Sequence, residues 1–466
     1  MILFRREKLK KVRVGAGSAG WPDMADPALV SAESGELDYQ GFDHLAELTM
    51  AILERQKVKN PTRGYIPDVI PLMKKLLPIW KNKRFKMVSN GGGANPEQCA
   101  IEVMKVAKSL GLEGMKIGVV TGDDLPVKQL DSLRAQGLKF KNSETGEEDI
   151  DRVKDKIEAA YVYIGADRVV EALDAGADLV IGGRLSDNSL FVGPFMHAFG
   201  WKFEDEYWDR IGAGVATAHL LECAGWSTGV CSTQWEKVPE PWNLGFPIAE
   251  MSEDGETIMC KPPGTGGLVS EYTMKEHLVY EVHDPQNYLM PDGIADLTAL
   301  KVEQVGDNRV KISKAGTKSR GKPRPKTLKF CLAYADGYIM TYMMVLSAPK
   351  ALEQAKRVED YLQRRLKIRG VKPKDMLISY VGINSLHGPA APMPKEPPNE
   401  VAMRFAFKAD TEEEARIYQN EATLTWYAAG VGAAFTAPDV RPVMALWPTL
   451  IPREAVPMKL EMKEVK

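Results

Sequence analysis

FKMVSNGGGANPEQCAIEVMKVAKSLGLEGMKIGVVT, residues 85–121, reads as strand, glycine loop, helix and second strand in one run. Residues 85–89 and 116–121 are short apolar strands, and the segment between them carries the marks of a helix. Asn95 stands as N-cap, Pro96 as first helical residue, and Gln98 three positions after the cap as a capping-box variant. Ala100, Val103, Met104, Ala107 and Leu110 then make one apolar stripe, which Gly111 ends. Strand, helix and strand in this order form a βαβ unit, whose strands pair in parallel.

The same alternation extends to both sides. Strands are predicted at 12–14, 37–42, 161–164 and 178–181, and helices at 45–56, 67–81 and 166–175. Near-continuous apolar strands fit a sheet covered on both faces. Residues 1–225 are therefore expected to form an α/β domain, a mainly parallel sheet with helices on both faces. Residues 226–330, dense in proline and glycine, are expected to complete that domain, with strands at 300–305 and 310–313. They carry a basic arm: between Arg309 and Lys329 there are nine basic residues and no acidic one. The arm reads either as a solvated hairpin loop or as a flexible segment that meets an anionic ligand or partner. Residues 331–466 are expected to form a smaller C-terminal α+β domain, with paired strands over 330–346, helices at 351–368 and 411–429, and an edge strand at 401–408.

Bulk properties narrow the function classes. A chain of 466 residues is long enough for two or three domains. Sixty-one basic and 63 acidic residues give a formal net charge of -2, so no global pull toward nucleic acid is expected. Five scattered cysteines without a C-x-x-C pair read as reduced thiols, and no apolar run is long enough to span a membrane. A cytoplasmic protein is the expected class. No metal site is predicted, because no close His/Cys cluster occurs, and no G-x-S-x-G elbow marks a serine hydrolase.

In a doubly wound sheet, ligands sit outside the carboxyl ends of the strands, so the segments after each strand are the candidates. Gly15-Ala-Gly17-Ser18-Ala-Gly20 matches G-x-G-x-x-G, with Asp43 further on, the outline of a dinucleotide fingerprint. Trp21-Pro22 follows where the helix of that fingerprint should start, so a packing turn and a ligand-facing loop without NAD stay open beside it. Asn90-Gly91-Gly92-Gly93-Ala-Asn95 lets backbone amides approach a ligand and leads into a helix start suited to an anion. Asp123 and Asp124 are a carboxylate pair suited to acid–base work. Arg184, Ser186, Asp187 and Asn188 form a dense polar loop, in which Arg184 suits a carboxylate. His44, with Glu47, suits proton transfer, whereas His197 reads as a helix-end dipole partner. Lys261 and Thr265, in a loop with Gly264, Gly266 and Gly267, read as a lid or an anion-binding turn, and His283-Asp284 as an acid–base pair or a turn.

Several of these segments together resemble one family. GAGSAG, NGGGANP, TGDDL, GGRLSDNSLFVGPFMHAFGW, LLECAGWSTG, GFPIAE, KPPGTGGLV and YEVHDPQNYL occur in order. With the tail ALWPTLIPR, they resemble the acyclic terpene utilisation (AtuA-like) family over residues 12–330 and beyond. The resemblance implies a role in bacterial catabolism of terpenoids and other branched acids through CoA thioesters. Some family members carry a further small C-terminal domain, and a separate small subunit is expected to supply it here. One departure is visible: the family pattern Phe-Glu-Cys-Leu-Ala-Glu is Phe42-Asp-His-Leu-Ala-Glu47 in this chain.

The expected function is catabolism of a small or branched carboxylic acid or its CoA thioester by a lyase or hydratase. Asp123, Asp124, Asp187 or His44 would move the proton. Gly15, Gly17, Ser18, Asn90 to Gly93, Asn95, Arg184, Ser186, Lys261 and Thr265 would bind substrate. No cofactor is expected beyond CoA as part of the substrate, and a homo-oligomer is expected. A partner-dependent, non-catalytic subunit and an NAD-dependent dehydrogenase are the alternatives.

Overall fold

The computed structural model describes residues 11–127 and 129–466, which divide into two compact units. The first takes the described residues to Leu332 together with Leu446–Lys466, and the second is Ala333–Ala445.

The parallel heart of the first unit follows from the strand–helix alternation. Strands β1 (Lys11–Ala19), β2 (Tyr39–Asp43), β3 (Lys86–Ser89) and β4 (Lys116–Thr121) precede β5 (Ile157–Val162) and β6 (Leu179–Gly182). Five of them pair in parallel in the order β1-β2-β3-β6-β4. Every residue of β2 and β6 is buried, as a sheet covered on both faces requires. Helices Ala25–Ser34, Val69–Lys83 and Pro96–Ser109 pack in one group, and Asp167–Asp174, Ser189–Phe199 and Trp208–Glu222 in another.

The sheet as a whole is mixed, which corrects the expectation of a mainly parallel one. Ten strands run in the order Leu300–Gly306, Arg309–Lys314, β8 (Thr257–Cys260), β7 (Ile248–Ser252), β1, β2, β3, β6, β4, Lys459–Glu464. All pairings outside the parallel five are antiparallel. Chain length between strands is the reason. Four residues separate β7 from β8 and two separate Leu300–Gly306 from Arg309–Lys314, whereas a parallel crossover needs a dozen or more. A small sheet of Tyr288–Met290, Gly293–Ala295 and Gly321–Lys322 is antiparallel too.

In the second unit, Asp375–Val381, Glu400–Ala409, the later part of the strand Thr327–Ser347 and Ala433–Phe435 form an antiparallel sheet. Residues 330–346, predicted as paired strands, belong to that one long strand. Residues 338–347 pair with Glu400–Ala409 while Lys329 accepts from the Tyr163 amide, so two different partners hold the strand's two ends extended. Helix Ala351–Arg369 buries Ala355, Val358, Leu362 and Leu366, the predicted stripe, with Leu352 packed at its edge. Glu421, buried on helix Glu412–Thr423, is held by Arg365 and Arg369, each 2.9 Å away. Among the described residues, no helix is long and apolar enough to cross a membrane.

One close approach ties β1 to β2. A Cβ on Gly17 would stand 2.3 Å from the Phe42 ring, so only glycine fits there. Gly17→Ala should lower the unfolding free energy by about 1–3 kcal/mol. Gly20→Ala, where a Cβ meets nothing within 4 Å, should change it little. Urea unfolding of both variants against the parent checks this.

Candidate functional site

The C-terminal ends of β2, β6 and helix Trp208–Glu222 bring charged side chains together around Arg184, which is 1% exposed. The guanidinium donates from Nη1 to the Leu185 carbonyl at 2.8 Å and to Asp187 Oδ1 at 2.7 Å. It lies 3.9 Å above the centre of the Tyr163 ring. Burial works against its charge, but Asp187, Tyr163 and Asp43 outweigh it and carry the pKa well above the ordinary value. Asp123, also buried, accepts the Arg184 backbone N–H at 2.6 Å and so fixes the loop after β6.

Two further acids face this centre. Burial raises Asp43 well above the carboxylate range, and Asp187 adds to the rise against the pull of Arg184 and a hydrogen bond from Asn90. Burial also raises Glu222, reinforced by Asp187 and Glu281. With one guanidinium and several carboxyls in a dry space, Asp43 and Glu222 are driven toward their protonated forms.

The histidine beside Glu222 fixes where that proton sits. His219 Nε2 is 3.0 Å from the His277 carbonyl, so Nε2 is the donor. Burial lowers His219 to about 4, leaving a neutral ring whose Nδ1 can only accept. Glu222 Oε1 stands 2.8 Å and the Tyr288 hydroxyl 3.1 Å from that Nδ1. The bond to Glu222 therefore needs a protonated carboxyl, in agreement with its raised pKa. The other oxygen, Oε2, is buried with no hydrogen-bond partner.

A cleft of about 430 Å³ opens onto this cluster. Glu47, Tyr163, Ser186, Asp187, Asn188, Glu222, Glu281, His283, Tyr288, Met290 and Lys329 are among its lining residues. Lys329 and Glu47 pair at 2.9 Å; burial opposes the Glu47 charge, but Lys329 holds it down at about 2.

The sequence-predicted residues divide among several places. Ser186 and Asp187 line the cleft, and Arg184 lies beneath it with its Nη1 committed to Asp187 and Leu185. Asn90 is a clamp: Nδ2 donates to Asp43 at 2.6 Å and Oδ1 accepts the His44 amide at 2.8 Å. Gly91, Gly92 and Gly93 are buried turn residues, and a Cβ on Gly92 would stand 2.5 Å from the Gly182 carbonyl oxygen. Asn95 accepts the Gln98 amide as N-cap and donates to the carbonyls of Pro61 and Arg63. Asp124 is exposed and bridges to Tyr161 through the backbone. Gly15, Gly17 and Ser18 lie inside β1, and the next helix begins only at Ala25, so the fingerprint's strand–turn–helix form is absent. Ser18 and His44 line a second, smaller pocket. Lys261 folds back onto Thr265 of its own loop, and His197 bonds Asp174 at 2.7 Å.

The basic arm is largely committed. Arg309, Lys311, Lys314, Lys318, Arg320, Arg324 and Lys329 each pair with an acid of the first unit, and Lys322 donates to Gln286 and Asn287. Asp43 was read only as the acid of a dinucleotide fingerprint, and Glu222, His219 and Tyr288 were not singled out. The signal was present in GVATAHLLECAG: a histidine and an acid three apart in an otherwise apolar helix end are too costly to bury without a role.

Asp123 offers a pH test. Burial raises it from an ordinary 3.8 to about 6, opposed by the Arg184 amide. The folded state then binds this proton more tightly than the unfolded one, so its contribution to stability falls as pH rises through that window and is flat above it. About two units correspond to roughly 3 kcal/mol. Asp123→Asn keeps an acceptor for the Arg184 amide and should lose that part of the decline between pH 4 and pH 6, read from denaturant midpoints.

No curated protein matches the chain. The family model described as acyclic terpene utilisation family protein AtuA matches residues 12–462. That span takes in the mixed sheet, the cleft and the antiparallel unit, and the chain belongs to the acyclic terpene utilisation family AtuA.

Proposed function

We propose that this chain is a catabolic enzyme that adds water to, or removes it from, a small or branched carboxylic acid carried as its CoA thioester. The single observation behind the reading is Glu222, a buried carboxyl at the cleft whose proton is directed to His219 Nδ1 and whose second oxygen is unpartnered. Hydration of an enoyl thioester needs an acid to protonate the carbon next to the carbonyl and a base to take a proton from water. Glu222 supplies the first when its hydroxyl turns from His219 Nδ1 to the substrate. Asp187, 33% exposed at the cleft, is placed to supply the second. Dehydration runs the same transfers in reverse. Lys329 and the Tyr163 ring mark the side for the thioester oxygen. The lining favours a neutral reacting group: beside the protonated Glu222, the acids Glu47, Asp187, Glu281 and Asp284 outnumber Lys329 there, and a free carboxylate would meet repulsion.

Glu222→Gln keeps a donor toward His219 Nδ1 and removes the transferable proton. It should lower kcat by about 100-fold or more with little change in KM and an unchanged thermal midpoint. The assay follows absorbance of a panel of branched enoyl-CoA thioesters and deuterium uptake from D₂O. Absence of turnover and of deuterium uptake across the panel by the folded parent protein, or equal rates in parent and variant, would sink the reading.

A further inference from the structure

A second site stands beside β1 and involves none of the cleft's acids. A pocket of about 180 Å³ is lined by Ser18, His44, Gly20, Trp21 and Leu72 among others. It shares Gly20, Trp21, Asp23 and Met24 with a chamber of about 430 Å³, to which Leu45, Trp226 and Phe246 give apolar walls. Ser18 Oγ lies 3.4 Å from His44 Nδ1, and both side chains are buried. The ring is held from several directions. Its backbone amide donates to Asn90 Oδ1, it stacks on Phe42 at 6.4 Å with 13° between planes, and Gly91 leaves no Cβ to displace it. Burial lowers His44 to about 4, against the influence of the Gly20 backbone, so at neutral pH the imidazole is uncharged.

A hydroxyl facing a neutral, immobilised imidazole, next to an apolar chamber, is the arrangement of covalent acyl transfer. We propose that Ser18 and His44 are a nucleophile–base pair that hydrolyses an ester or thioester with an apolar acyl group, the acyl chain lying in the adjoining chamber. Ser18 Oγ attacks the carbonyl carbon as its proton passes to His44 Nδ1. The C–O or C–S bond to the leaving group breaks, and the leaving alkoxide or thiolate takes that proton. Water, deprotonated by His44, then attacks the acyl-serine. The free acid is released and Ser18 regains its hydrogen. No oxidant, metal or cofactor is required.

The distances are those of a resting site, and such pairs tighten when substrate binds. The test treats the full chain with a fluorophosphonate probe and, separately, with 4-nitrophenyl butyrate. Adduct mass is expected on the peptide that contains Ser18, with release of nitrophenol. Ser18→Ala should lose the adduct, and His44→Asn should slow both reactions by about 100-fold or more. Circular dichroism and thermal midpoints are measured alongside. Should Ser18→Ala fail to fold, Ser18→Cys reads the same pair, since iodoacetamide should alkylate position 18 faster with His44 present than with His44→Asn. No adduct at Ser18, an equal rate in Ser18→Ala, or a thiol at 18 indifferent to His44 would overturn the proposal.

Discussion

A guanidinium taken out of water sets the terms for everything around it. Arg184 sits at 1% exposure, and an unpaired ion in such a place is too costly to keep. Asp187 and the Leu185 carbonyl meet one nitrogen, the Tyr163 ring meets the face, and Asp123 fixes the backbone that carries the residue. The single positive charge is then shared among more carboxyls than it can neutralise. Asp187, one-third exposed at the cleft, is the partner that meets the guanidinium directly. Asp43 and Glu222, both buried, are raised by burial first and by Asp187 second. The proton on Glu222 follows from that imbalance, and the tautomer of His219, set by the His277 carbonyl, gives the proton a direction.

Where a pattern was local, the sequence carried it. Residues 116–121 are β4 as predicted, Asn95 caps Pro96–Ser109, and the stripe of Ala351–Arg369 faces the second unit's core. Direction of pairing was not local. A short strand such as residues 248–252 looks the same in a parallel and an antiparallel sheet, and only the few residues before its neighbour decide. The long strand Thr327–Ser347 was hidden for the same kind of reason: its partners, at β5 and at Glu400–Ala409, lie far away in sequence.

The site was legible in part, and the misses have two causes. Glycine-rich runs were read as cradles for ligand, yet Gly17 clears the Phe42 ring and Gly92 clears the Gly182 carbonyl. A missing Cβ admits a ligand or a neighbouring strand equally well, and sequence alone does not distinguish them. Ser186 and Asp187, singled out because they lie in a polar loop after a strand, line the cleft. Glu222 and His219 lie on a helix, outside the strand-end rule, and their signal was the price of burying them.

Asn90 shows how closely the two sites depend on one another. It was singled out as a ligand residue, but both halves of its amide are spent on the end of β2. Nδ2 holds the Asp43 carboxyl that belongs to the acid cluster, and Oδ1 holds the backbone of His44, whose ring faces Ser18. Neighbouring residues on an extended chain point to opposite sides, so one strand end can serve two pockets if its backbone is fixed. The amide does that fixing, since its donor meets the Asp43 carboxyl and its acceptor the His44 backbone N–H. The polar residue after β3 is therefore a hinge-pin for chemistry carried by its neighbours, and its role lies in the positions of Asp43 and His44 rather than in a ligand of its own.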